Sequence, residues 1–208
     1  MEIYAFGSIT RGDIDKLSDV DLLLLKDIDE KISDIDKEQF SIYSYQRILE
    51  LWKEGNPFAW HLYSESKCIF CTNSVSYIES LGKPSQYKNL LNDLNKFYKL
   101  FNDSKDSIEQ NNYSIDFDLS MIFLSIRNFA SCFSLGYLGK LEFSRDSAIK
   151  INLHPLKINP KTYDRLKQSR LLATRGIGKK ISKEELETIQ EDFPEIEKWF
   201  NRILILIK

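Results

Sequence analysis

Two acids on alternate positions, Asp19 and Asp21, open a run of four leucines, and a Gly-Ser pair at Gly7 and Ser8 closes an apolar run just upstream, in "AFGSITRGDIDKLSDVDLLLL". In a strand such acids face the same way, about 6.5–7 Å apart along the chain. Two carboxylates on one face can hold hard divalent ions. Mg²⁺ suits them, because it takes a few carboxylate oxygens together with the oxygens of a bound polyphosphate rather than a complete protein cage. Gly7 lets the backbone come close to a phosphate, the Ser8 hydroxyl and neighbouring N–H groups can donate to it, and Arg11 adds a charged fork beside the same loop. A carboxylate in front of four leucines is costly to bury unpaired, so a bound cation is the expected partner.

The elements that must position these groups can be read from periodicity. Residues 3–6 ("IYAF") and 19–25 ("DVDLLLL") read as buried strands, 40–45 ("FSIYSY") as a third with β-prone alternation, and 67–72 ("KCIFCT") as a fourth. Between the last two, Ile48, Leu49, Leu51 and Trp52, then Phe58, Trp60 and Leu62, predict two helical pieces broken at "EGNP". Further on, Leu90, Leu91, Leu94, Phe97, Tyr98 and Phe101 lie on one face of a helix; 116–138 predict a more buried helix, and 184–207 a third, interrupted at Phe193-Pro194. The expected fold class is α+β, a small mixed sheet in residues 1–80 followed by an all-helical domain in 86–208, with the loop "GKPS" at 82–85 as the boundary.

Composition sets the outer bounds. With 208 residues, 42% hydrophobic and 29% charged, the chain is globular rather than disordered. No stretch approaches the roughly 20 apolar residues of a membrane span, and "MEIYAFGS" lacks the basic start and apolar middle of a signal peptide, so a cytoplasmic protein with no membrane partner is expected. Cys68, Cys71 and Cys132 are odd in number, and the first two, three apart in a strand, are expected on opposite faces as structural thiols. Charge is uneven beneath a net value of -2: residues 13–38 hold ten acids against four lysines, and residues 140–183 hold twelve bases against three acids. An acidic end and a basic end suit a cation-plus-phosphate partner.

The stretch "GSITRGDIDKLSDVDLLLL" resembles the signature of the DNA polymerase beta-type nucleotidyltransferase superfamily, and the short N-terminal domain resembles its minimal bacterial members. The family pattern of Gly-Ser, ten residues and Asp-x-Asp is matched at Gly7, Ser8, Asp19 and Asp21, with Arg11-Gly12 between them. The resemblance covers about the first 72 residues and implies the nucleotidyltransferase fold. It also implies a Mg²⁺-dependent transfer of a nucleoside monophosphate from a nucleoside triphosphate to an acceptor, with release of pyrophosphate. Asp19 and Asp21 are then the catalytic metal ligands, and Gly7, Ser8 and Arg11 the nucleotide-binding residues. Protein, RNA and small-molecule acceptors all fit, as do roles in toxin–antitoxin pairs and phage defence.

Two departures qualify this match. The family's third carboxylate comes from a later strand, here "FSIYSY", which has no acid; Glu38 just before it and Glu65 near the end of the following helical stretch are substitutes in principle only. Without one, the general-base role passes to the substrate, to water or to nothing, and the alternative reading is a catalytically impaired nucleotide-binding or interaction module. No helix precedes the first strand.

Other candidates lie outside the motif. His61 and Glu65 stand four apart beside Phe58 and Trp60, a spacing that suits a packed, hydrogen-bonded histidine. Arg127, with Asn128, sits in an apolar helical stretch and needs an acceptor, either a protein group or a ligand phosphate. Some helical domains accompanying such nucleotidyltransferases resemble RNA-cleaving domains in which a His follows the Arg a few residues later; no His follows Arg127 at that distance, so ribonuclease activity is not assigned. "RLKQSRLLATRGIGKK" at 165–180 offers clustered bases to a triphosphate or an RNA end, or else a solvated helix terminus.

Overall fold

A computed structural model describes residues 1–13, 20–30, 39–110 and 114–207. The chain divides into two units, Met1–Lys88 and Asn89–Lys208.

The first unit is built on a four-stranded mixed sheet. Strands β1 (Glu2–Phe6), β2 (Asp21–Lys26), β3 (Phe40–Ser44) and β4 (Lys67–Phe70) lie in the order β3-β2-β1-β4. β1 runs antiparallel to both neighbours, and β2 and β3 are parallel. Pairing of Phe6 with Asp21 and of Leu23 with Tyr4 and Ser41 puts Tyr4, Phe6, Leu23, Leu25 and Tyr43 on one face by the two-residue alternation of strands. That face is the apolar one. Tyr4, Phe6, Leu23 and Leu25 pack there with Ile48, Leu51 and Trp52 of α2 (Tyr45–Glu54), Ala59 and Leu62 of α3 (Pro57–Glu65) and Ile78 of α4 (Tyr77–Leu81). Asp21 begins β2 on the same face, half-buried, where the leucine core ends.

Local sequence accounts for the helix limits. The Ser44 hydroxyl accepts from the Arg47 amide at 3.1 Å to start α2, and Gly55 ends it at φ 66°. A Cβ on Gly55 would fall 2.4 Å from the Ser85 carbonyl oxygen, so this turn needs glycine twice over. Asn56 and Pro57 then start α3, with the Asn56 side chain accepting from the Phe58 amide. The segment after α4 is stitched back to these helices. Trp52 Nε1 donates to the Gly82 carbonyl at 2.9 Å, Trp60 Nε1 to that of Ser85 at 3.1 Å, and the Ser85 amide to the Trp52 carbonyl at 3.0 Å.

β4 departs from expectation at its end. It stops at Phe70, so strand alternation does not govern Cys71, and the Cys71 thiol lies within hydrogen-bonding reach of Cys68. Burial, followed by that contact, pushes the Cys68 thiol up to about 11, far from the reactive thiolate range.

The second unit is helical: α5 (Leu90–Glu109), α6 (Ile115–Gly136), α7 (Ser147–Lys150), α8 (Pro160–Arg175) and α9 (Lys183–Ile207). Its centre is aromatic, with Phe129 of α6 4.6 Å from Phe200 and 5.2 Å from Trp199 of α9, ring centroid to centroid. α6 has the length and hydropathy of a membrane-crossing helix, but 67% of its apolar window is buried inside the fold, as in a core helix. α9 was expected to break at Phe193-Pro194 and instead runs through Pro194. The ring removes one intrahelical hydrogen bond, and the buried row Ile189, Phe193, Ile196, Trp199, Phe200, Ile203 and Leu204 on one face outweighs that loss.

Candidate functional site

The turn after β1 is tightly constrained. Gly7 sits at φ 77° and ψ -138°, a region that side-chain-bearing residues avoid, and a Cβ there would approach Asp21 Oδ2 to 2.7 Å. The reason is the β1–β2 register: Phe6 pairs with Asp21, so the next residue along β1 passes the Asp21 carboxylate. Glycine is therefore what lets an anionic side chain and a bare stretch of backbone share one place.

Beyond Gly7 the chain makes the single turn α1 (Ser8–Arg11), in which Ser8 is buried and the Thr10 and Arg11 amides point back to the Gly7 carbonyl at 3.2 and 3.3 Å. Gly12 closes the turn at φ 78°. The Thr10 hydroxyl lies between two carbonyl oxygens and shares its proton between Gly7, at 2.8 Å, and Glu65. Arg11 turns Nε to the Asp13 carboxylate at 3.0 Å and Nη1 to that of Glu65. His61 Nε2 meets the same Glu65 oxygen at 2.9 Å, and its ring packs edge-on against Phe6 at 5.7 Å and Phe58 at 6.5 Å. Both side chains are nearly closed to solvent, His61 at 11% and Glu65 at 10% exposure.

The structure thus brings Gly7, Ser8, Arg11 and Asp21 to one end of the sheet. Asp19 and Glu38 lie outside the described residues. Glu65, considered as a substitute third carboxylate, is occupied by Arg11 and His61. β3 carries no acid from Phe40 to Ser44. Among the described residues no three His, Cys, Asp or Glu side chains gather into a metal-binding group. His61 is a packed, hydrogen-bonded histidine, as its spacing from Glu65 predicts.

Thr10 is the residue that sequence reasoning missed. Its partners, the Gly7 and Glu65 carbonyls, are backbone atoms, and Glu65 is 55 residues away, so no local pattern announces it.

Residues 1–95 match the family model described as nucleotidyltransferase domain. The N-terminal part of the chain is a nucleotidyltransferase domain. No curated protein gives a significant match to the chain. In this nucleotidyltransferase domain the Gly-Ser turn and the first residue of β2 occupy adjoining positions, and such a domain acts on a nucleotide substrate.

Nucleotidyltransferases of this family generally use divalent metals. The Asp21 carboxylate is half-buried beside Gly7, and its oxygens are hard donors. Such donors fit a Mg²⁺ ion that also binds phosphate oxygens.

Proposed function

We propose that residues 1–80 bind a nucleoside triphosphate with Mg²⁺ and transfer its nucleoside monophosphate to an acceptor hydroxyl. The observation that carries this reading is the approach of the Asp21 carboxylate to Gly7, which gives the family motif a physical reason in this chain. Asp21, and Asp19 by its place in the motif, would hold the metal, which when bound supplies charge neutralisation for the phosphates. Gly7 and Ser8 line the phosphate chain, and Arg11 holds positive charge at its side.

In the transfer, the acceptor oxygen bonds to the α-phosphorus, the bond from that phosphorus to its bridging oxygen breaks, and pyrophosphate leaves. Among the described residues β3 offers no acid and Glu65 is paired, so the hydroxyl proton goes to water or to substrate oxygen. Catalysis rests on positioning and on charge placed in advance. The acceptor is a protein, an RNA or a small molecule, and a toxin–antitoxin or phage-defence setting in the cytoplasm fits such a transfer.

A second reading, a nucleotide-binding module without transfer, is favoured by one observation: Glu65 is taken by Arg11 and His61. Labelled triphosphates with Mg²⁺ and candidate acceptors separate the two. Transfer by the wild type that disappears in Asp19→Ala/Asp21→Ala supports the enzyme. Equal absence of labelling in both, with triphosphate binding retained, leaves only the module.

A further inference from the structure

The contacts of Glu65 assign it a task outside the motif. Its carboxylate takes Arg11 Nη1 and His61 Nε2 on one oxygen, and its carbonyl takes the Thr10 hydroxyl, which also reaches the Gly7 carbonyl. His61 in turn lies against Phe6, the last residue before Gly7. One residue at the end of α3 therefore grips the Gly7–Arg11 turn at both ends, from the ring below Phe6 to the guanidinium of Arg11. α3 is itself fixed in the sheet core by Ala59 and Leu62, both fully buried. That rigidity reaches the turn through Glu65.

We propose that Glu65 is a positioning residue for triphosphate binding, acting through Arg11 and Thr10 rather than as the missing metal-site carboxylate. The inference rests on the nucleotide-site reading above. With both partners in place, Arg11 presents its guanidinium in one orientation before any phosphate arrives, and the Gly7 turn keeps the shape that admits Asp21. Without Glu65, the arginine is free to follow Asp13 alone and the turn loses its long-range anchor.

The test measures calorimetric binding of the four ribonucleoside triphosphates with Mg²⁺, and of the matching nucleosides, to the full chain. Glu65→Ala is paired with Glu65→Gln, which keeps the size of the side chain and guards against a folding failure; melting temperature is read for each. The expected result is triphosphate affinity about tenfold weaker in both variants, the scale of one lost charge-assisted hydrogen bond, with nucleoside affinity unchanged. Arg11→Ala should weaken it similarly, and Arg11→Ala/Glu65→Ala no further than Arg11→Ala alone. Wild-type binding with unchanged affinity in both Glu65 variants overturns the inference and leaves the nucleotide site standing. Additive losses in the double variant place Glu65 on the ligand and overturn the positioning role. If the wild type binds no triphosphate, both readings fall.

Discussion

Arg11 and Arg127 each need an acceptor for a guanidinium, yet the two units supply it differently. Arg11 meets carboxylates, Asp13 and Glu65, in a half-open turn beside a strained glycine. Arg127, inside α6, sends Nη2 to the Phe143 carbonyl at 2.8 Å, while its own carbonyl accepts from the Ser147 hydroxyl at 3.0 Å. The same economy recurs through the helical unit: Arg165 Nη2 donates to the Lys179 carbonyl, Trp199 Nε1 to that of His154, and Asp116 accepts from the Ile181 amide. There, polar side chains satisfy loop backbone that would otherwise be orphaned, and they fasten the loops to the helices. In the first unit, polar side chains gather around a backbone conformation that only glycine holds. One pattern maintains the fold; the other, on the function proposed above, prepares a ligand site.

The largest effect should come from filling the space between Gly7 and Asp21. Gly7→Ala puts a Cβ 2.7 Å from Asp21 Oδ2 and holds alanine at φ 77°, a strain of about 1–3 kcal/mol. The carboxylate and the turn must part, and nucleotidyl transfer should fall by about a hundredfold or more, the loss seen when a preorganised group is displaced from developing charge. Transfer of labelled nucleotide and thermal melting are read side by side. Intact transfer in Gly7→Ala would show that the contact between Gly7 and Asp21 is incidental to function.

A smaller effect, of the opposite kind, is expected at Arg127. Arg127→Met keeps an apolar stem of similar length and removes the donor to the Phe143 carbonyl, which costs about 1–3 kcal/mol of stability as a buried acceptor loses its partner. Urea unfolding measures that loss. Triphosphate affinity of the folded variant should stay at the wild-type value. A fall in affinity instead would place Arg127 at a ligand and erase the contrast with Arg11.

The contrast also explains which parts could be read in advance. The α+β class, with a small mixed sheet followed by helices, was legible because strand and helix periods differ and "EGNP" carries its own stop and start signals. The motif was legible because a site that shares space between a carboxylate and backbone needs glycine and aspartate at fixed spacing. The contacts of Glu65 with Arg11 and Thr10 were not legible, since they join residues 54 and 55 apart and depend on how α3 packs on the sheet. Cys68 and Cys71 were placed on opposite faces by a rule that ends where β4 ends. Pro194 was given too much weight, because a local preference of a few kcal/mol yields to a continuous buried face.

The smallest effect tests the maintenance pattern at its weakest point, Asp118 of α6. This carboxylate is buried, accepts one hydrogen bond from the Ser107 hydroxyl at 2.9 Å, and has its pKa raised, with burial the leading cause and the Ser107 bond opposing it. A folded pKa above the unfolded one means that folding favours the protonated form. The corresponding stability is present below the unfolded pKa, near 3.8, and is lost as pH rises through the folded value. At neutral pH the ionised group opposes folding, so Asp118→Asn, which keeps an acceptor oxygen for Ser107 and carries no charge, should melt slightly above the wild type at pH 7. The gap should close as pH falls below the carboxylate range, where the wild type is also neutral at this position. Melting temperatures across that range decide it. A variant less stable than the wild type at pH 7 would mean that the Asp118 charge, like that of Glu65, is held by a partner rather than merely tolerated.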